Sequence, residues 1–107
     1  MVFFANPYAF GQVSFPVNIV SSSNYIDSVD YYHVVGEVEN SSPSVIKYVQ
    51  VIGTFYDGMN RVVGTSFTFT TPPDISPSSK APFDLILGSA SIPIRQITNY
   101  SLQVSYQ

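Results

Sequence analysis

Period-two alternation of side-chain character, repeated in stretch after stretch, constrains this chain more than any other feature of its sequence. In Arg61 to Thr70, Val63, Thr65, Phe67 and Phe69 share one parity, and Val62, Gly64, Ser66, Thr68 and Thr70 share the other. From 31 to 40, Tyr32, Val34, Gly36 and Val38 fall on one face, opposite His33, Val35, Glu37 and Glu39. That is the signature of a half-buried strand with its acids toward water. Val13, Phe15, Val17 and Ile19 alternate in the same way, and the Ser21-Ser22-Ser23-Asn24 cluster is predicted to end that first strand. Residues 45–56 are apolar or aromatic on both parities, which predicts a central strand where Gly53 leaves space for a neighbour's bulky side chain. Phe83, Leu85 and Leu87, with Asp84 opposed, and then Tyr100, Leu102, Val104 and Tyr106 complete the series. A capped apolar helical period is found nowhere.

Turn signals separate these runs. Asp57-Gly58-Met59-Asn60 lies between two strand patterns and predicts a hairpin, with Gly58 taking the positive φ and Asp57 accepting hydrogen bonds from turn amides. Thr71 to Ser79 is a proline-rich crossing loop, and Gly88 to Pro93 is a further connection. Six or seven short strands separated in this way describe an all-β fold, an antiparallel β-sandwich. Phe55, Phe67, Phe69, Phe83 and Tyr100 fall at the parity expected of the core.

A length of 107 residues suits one domain, spanning 13–107. Residues 1–12 are apolar and uncharged with small residues near their end. They read either as the remnant of a secretory signal lacking its basic start or as an extended N-terminal segment. Charged residues make up only 10% of the chain, against roughly 25% in an average soluble domain, and the net charge is −3. With four basic residues the chain has little to grip phosphates, which argues against nucleic-acid binding. No cysteine is present, so thiolate metal sites and cysteine nucleophiles are ruled out.

Residues 31 to 87 resemble the FxLYD domain, an immunoglobulin-like sandwich module of bacterial and archaeal surface and secreted proteins. The resemblance rests on Val35-Gly36-Glu37-Val38-Glu39-Asn40, Val49-Gln50-Val51, Thr54-Phe55-Tyr56-Asp57, Val62-Val63-Gly64 and the approach Pro77 to Phe83, in that order. Two departures stand out: Thr54-Phe55-Tyr56-Asp57 matches the eponymous motif best at its Tyr-Asp end, and Pro77-Ser78 replaces the usual Pro-Gly. The resemblance implies an immunoglobulin-like antiparallel sandwich of about seven strands and brings no catalytic residues with it.

Candidate chemistry is sparse. His33, the one histidine, is expected to be a surface or strand-edge residue beside Asp30, with no nucleophile-elbow sequence to serve. Asp27-Ser28-Val29-Asp30 is the nearest approach to a calcium loop but lacks its glycine and distal acid. Glu37 and Glu39 point the same way along one strand, where their expected work is keeping an outward face soluble. No catalytic residue, metal ligand or cofactor site is assigned. Tyr31, Tyr48 and Tyr56, with Tyr25 beside them, are the candidate interaction surface, since tyrosine offers contact area and a polar hydroxyl together. Asn40-Ser41-Ser42 and Asn99-Tyr100-Ser101 match the N-glycosylation pattern, with Asn40 expected to be the more accessible.

The expected function is a non-catalytic extracellular or cell-surface structural or interaction module. Its partner would be another protein or a second copy, with the apolar N-terminal residues pairing against an open sheet edge. A glycan-binding module using Tyr48 and Tyr56 is the alternative reading. Contact with a membrane would be only through an anchor outside this chain.

Overall fold

The computed structural model describes residues 2–4, 16–88 and 94–107. Its strands are β1 (Val2–Phe4), β2 (Val17–Ile26), β3 (Tyr32–Asn40), β4 (Gln50–Tyr56), β5 (Val62–Phe69), β6 (Ser79–Leu87) and β7 (Asn99–Ser105), with one 3₁₀ turn at Ile94–Gln96. They form two antiparallel sheets, ordered β1-β7-β4-β5 and β2-β3-β6. The predicted all-β sandwich is what the chain adopts. An immunoglobulin layout places strands A, B, E and D in one sheet and C, F and G in the other. Here β2-β3-β6 take the A-B-E places, β4 and β7 take C and F, and β5 flanks C. The seat beside F, where G would lie, is held by β1 from the opposite end of the chain.

The core lies between the sheets. Val34, Val38, Val49, Val51, Phe55 and Leu85 are fully excluded from water, joined by Phe83 and Val104. Tyr32 meets the Phe55 ring edge-on at 5.6 Å, a favourable aromatic geometry. β4 lies between β7 and β5, as its two apolar parities predicted. A Cβ on Gly53 would collide with Leu85 Cδ2 and come within 3.1 Å of the Phe55 ring, so the predicted vacancy is filled by the facing sheet.

Four expectations need correction. The serine cluster does not end the first strand, because β2 runs through it to Ile26 with residues 21–26 paired to Tyr32–Glu37. β2 is a solvated edge, where small polar side chains cost little, and a bulge at Val20 keeps the ladder in step with β3. β4 begins at Gln50 rather than 45, because Tyr48 takes a left-handed φ of 54° that no strand residue adopts. Tyr48 is held there by its amide donating to Asp74 Oδ1 at 3.1 Å. In the Asp57 hairpin the positive φ falls on Asn60, at 64°, and not on Gly58.

Lastly, Phe67 and Phe69 are not core residues: they are 63% and 44% exposed. They stand across from Ile52 and Gln50 on the outer face of their sheet, while Gly64, Ser66 and Thr68 point inward opposite Phe55, Gly53 and Val51. β5 passes close to β6 of the facing sheet, and Ser66 Oγ donates to the Ile86 carbonyl at 3.0 Å. Only small side chains fit between backbones that near. The expected strand residues Val13 and Phe15, most of the 1–12 segment, and most of the Gly88–Pro93 connection lie outside the described residues.

Candidate functional site

His33 is neither on the surface nor at an edge. It sits on β3, the middle strand of its sheet, and is only 7% exposed although it points to the sheet's outer face. Tyr25, its cross-strand partner on β2, covers the ring in a parallel stack with centroids 4.5 Å apart. Its Nε2 lies 2.7 Å from Asp27 Oδ2, and its Nδ1 lies 2.8 Å from Asp84 Oδ1. Ionised carboxylates only accept, so both contacts are hydrogen bonds only when both ring nitrogens carry hydrogen. The geometry therefore selects the imidazolium. Burial opposes that charge, but the hydrogen bonds the ring donates to Asp27 and Asp84, with the attraction of both carboxylates, outweigh it and raise the His33 pKa above 6.5. A ring held in this way has no free lone pair with which to act as a base or bind a metal.

Asp30, the expected neighbour of His33, turns away and accepts from Arg95 Nη2 at 2.6 Å. Asp27 belongs to a hairpin that repeats the Asp57 hairpin atom for atom. In each, the aspartate amide donates to the carbonyl four residues on, and its carbonyl accepts from the residue three on. Oδ1 accepts from the amides two and four residues on: Val29 and Tyr31 in one hairpin, Met59 and Arg61 in the other. The residue three on takes the left-handed φ, 65° at Asp30 and 64° at Asn60. Only the second oxygen differs, since Asp57 Oδ2 accepts from Arg61 Nε at 2.9 Å while Asp27 Oδ2 takes His33. The amide of Tyr31, and then His33, lower the Asp27 pKa against a desolvation penalty. For Asp57 the Arg61 amide is the largest of the lowering contacts. In the acidic loop Asp27 thus has one oxygen in the turn and the other on His33, and Asp30 accepts from Arg95. Among the described residues no group of three or more His, Asp or Glu side chains could hold a metal ion.

Tyr31, Tyr48 and Tyr56 do not converge. Tyr31 closes the Asp27 hairpin and Tyr56 ends β4 beside the other hairpin, while Tyr48 precedes the opposite end of β4. Gln50 and Tyr56 are six residue steps apart at ~3.3 Å each, so β4 alone puts roughly 20 Å between its Tyr48 end and Tyr56. Asn40, expected to be the accessible sequon residue, is fully buried. Its Nδ2 donates to the Ser44 and Ile75 carbonyls, both at 2.8 Å, and its Oδ1 accepts from the Ser42 amide and hydroxyl. A sugar on that amide would break all of this. Asn99, at the start of β7, is exposed. Glu37 and Glu39 do share the outer face of their sheet, with Lys80 across from Glu39.

Two surfaces remain open. Between β2 and β7 runs a groove of about 450 Å³ lined by Ile19, Ser22, Tyr100 and Leu102, bridged by Ser22 Oγ and Tyr100 OH 2.9 Å apart. The outer face of the four-stranded sheet carries Ile52, Phe67 and Phe69. Neither the histidine clamp nor the exposed phenylalanines emerged from the sequence. Asp27 and Asp84 are 6 and 51 residues from His33. The one local signal was the shared spacing of Asp27-Ser28-Val29-Asp30 and Asp57-Gly58-Met59-Asn60, each with a left-handed-tolerant residue in last place.

These features define a small two-sheet antiparallel sandwich with aspartate-built hairpins and a seventh strand drawn from the N-terminal segment. Among solved structures the chain is similar to a DUF1425 family member from Shewanella sp. PV-4, with a TM-score of 0.57 and 13% identity, covering 91% of this chain and 83% of that one. At that identity the likeness concerns the fold alone. No protein-family model matches the chain, and no curated protein does.

Proposed function

We propose that this chain is a non-catalytic structural and interaction module, displayed at or outside the cell surface, that assembles by lending an edge strand. The observation that carries the proposal is the seat beside β7. Among the described residues it is occupied only by the three residues of β1, paired to Gln103–Ser105. The Tyr100–Leu102 stretch of the same edge borders the groove against β2. An extended segment from another subunit would gain main-chain hydrogen bonds along β7 and side-chain pockets in that groove, the logic of strand addition. The non-catalytic reading is supported by a histidine whose two nitrogens are both engaged. The surface location is supported by the low charge and the resemblance to FxLYD modules. The glycan alternative has less support, because Tyr48 and Tyr56 lie at opposite ends of β4.

Removing residues 1–12 and measuring mass by light scattering tests the assembly, and an unchanged mass overturns it. Lys47 and Lys80 are exposed, so a membrane-impermeant amine-reactive biotin should label the protein on intact cells. Labelling seen only after lysis overturns the surface location.

A further inference from the structure

The two outer faces of the sandwich differ in kind. The face of β2-β3-β6 carries Glu37, Glu39, Lys80 and Asp84, with the exposed Ile86 and Tyr25 at its His33 end. The face of β7-β4-β5 carries Gln50, Ile52, Thr54 and Tyr56 from β4, Thr65, Phe67 and Phe69 from β5, and Ser101 and Gln103 from β7. None of these is charged. Phe67 stands directly across from Ile52, and Phe69 from Gln50, so the large apolar groups form one stripe along two adjacent strands. A stripe of this kind on one face, in a chain whose charges sit elsewhere, marks an interface.

We propose that this face packs against the same face of a second copy, about a two-fold axis passing near Ile52 and Phe67. Three considerations favour a copy over an unrelated partner. A two-fold contact sets each residue against the same set of residues, so the surface must complement itself. An uncharged face meets that demand without repulsion, even in a chain of net charge −3. Gln50 and Gln103 meet it too, because each amide both donates and accepts. The area also fits. Three strands at ~4.8 Å spacing and seven residues at ~3.3 Å, with the three residues of β1 beside them, span about 380 Å² in plane, so two copies bury ~760 Å² or somewhat more. That is smaller than a standard stable interface and suits a weak, reversible dimer. The packed faces would lie ~10 Å apart with strands crossing at roughly 30°.

The chain has no cysteine, so a nitroxide can be placed at will. On the otherwise native chain, a label at Thr65→Cys should give a pairwise distance below about 20 Å in the dimer, while a label at Glu37→Cys on the other face should give none so short. Adding Phe67→Glu should abolish the short distance and, on a chain also lacking residues 1–12, bring the sedimenting mass down to that of a monomer, with the thermal midpoint of the full-length variant little changed because Phe67 is exposed. A native chain that stays monomeric up to millimolar concentration overturns the proposal. So does a short distance found at position 37 and not at 65, or one that survives Phe67→Glu. Should that variant fail to fold, the two label positions decide alone. Strand lending is independent of this contact: removing residues 1–12 abolishes the first and leaves the second, and Phe67→Glu does the reverse.

Discussion

His33 and Asp84, 51 residues apart and on adjacent strands, meet through Nδ1 and Oδ1 at 2.8 Å, and Asp27 closes the same ring from the other side at 2.7 Å. The arrangement joins all three strands of one sheet on its outer face: β3 gives the ring, β6 the carboxylate, and β2 both the covering Tyr25 and the hairpin that bears Asp27. It is an ion lock whose strength depends on protonation.

That dependence sets a stability profile. The folded-state pKa of His33 is raised above 6.5, so its contribution is complete below about pH 6.5 and is lost as pH rises through the folded value. The pKa of Asp27 is lowered below 3.8, so its contribution is complete above about pH 3.8 and is lost as pH falls through the folded value. Thermal unfolding should therefore show a plateau between those limits and a falling alkaline limb. His33→Gln should lower the midpoint more at about pH 5 than at about pH 9, flattening that limb. As the single histidine, His33 can be followed directly by NMR; an ordinary or depressed pKa would remove the lock.

The two aspartate hairpins make a second prediction. Asn60 holds φ at 64°, a conformation costing roughly 1–2 kcal/mol for a residue with an ordinary side chain and little for glycine. Asn60→Ala should destabilise by about 1 kcal/mol, and Asn60→Gly should be neutral or mildly stabilising. Gly58, the residue a hairpin rule would single out, has no positive φ, and the nearest atom to an added Cβ is Thr98 Cγ2 at 3.8 Å. Gly58→Ala should be tolerated. Chemical denaturation of the three variants checks the order, and a Gly58→Ala cost above that of Asn60→Ala would mean the turn is built differently.

How far the sequence reached can be judged from particular residues. Alternation located β3, β5, β6 and β7 and put Val34, Val38, Val51, Phe55, Leu85 and Val104 inside, because burial of one strand face writes itself directly into every second residue. It failed at Phe67 and Phe69, where parity distinguishes two faces without saying which is inner. That choice depends on how near β5 lies to β6, a distance between sheets that no local pattern encodes. It failed in the same way at Asn40, a polar residue placed by a sequon rule at the surface and by four hydrogen bonds in the interior. The ion lock lay out of reach because Asp84 becomes a neighbour of His33 only through the register of β3 with β6.

Gly36 and Gly53 both lack room for a side chain, but their surroundings differ. At Gly53 the obstructing atoms are side-chain atoms of Leu85 and Phe55. At Gly36 the first obstruction is the Ser21 backbone carbonyl, with the Phe83 ring behind it at 2.9 Å. A side chain can shift; a carbonyl held in the β2 ladder cannot without opening the pairing. Gly53→Ala should cost about 1–3 kcal/mol, as overpacking does. It should be partly rescued by Leu85→Val, whereas Gly36→Ala should cost more and gain nothing from trimming Phe83. Equal costs, or rescue at position 36, would show that the β2 edge yields.

Asn40 fastens the end of β3 to two loops that carry little regular structure. Its amide hydrogens reach the carbonyls of Ser44 and Ile75, and its oxygen receives the Ser42 amide, so one side chain substitutes for missing ladder bonds in the turn after β3 and in the crossing loop before β6. Asn40→Ala strands a buried carbonyl and an amide as well as deleting the bonds, a loss of about 2–3 kcal/mol. Asn40→Asp keeps the acceptor but sets an acidic oxygen against two carbonyl oxygens, and should be at least as damaging near neutral pH and milder in acid, where the carboxyl can again donate. Passed through a glycosylating secretory pathway, the folded native chain should carry sugar at Asn99 or nowhere. Peptide mass mapping that finds it on Asn40 in folded, soluble protein would show that the carboxamide points outward and that this fastening is not formed.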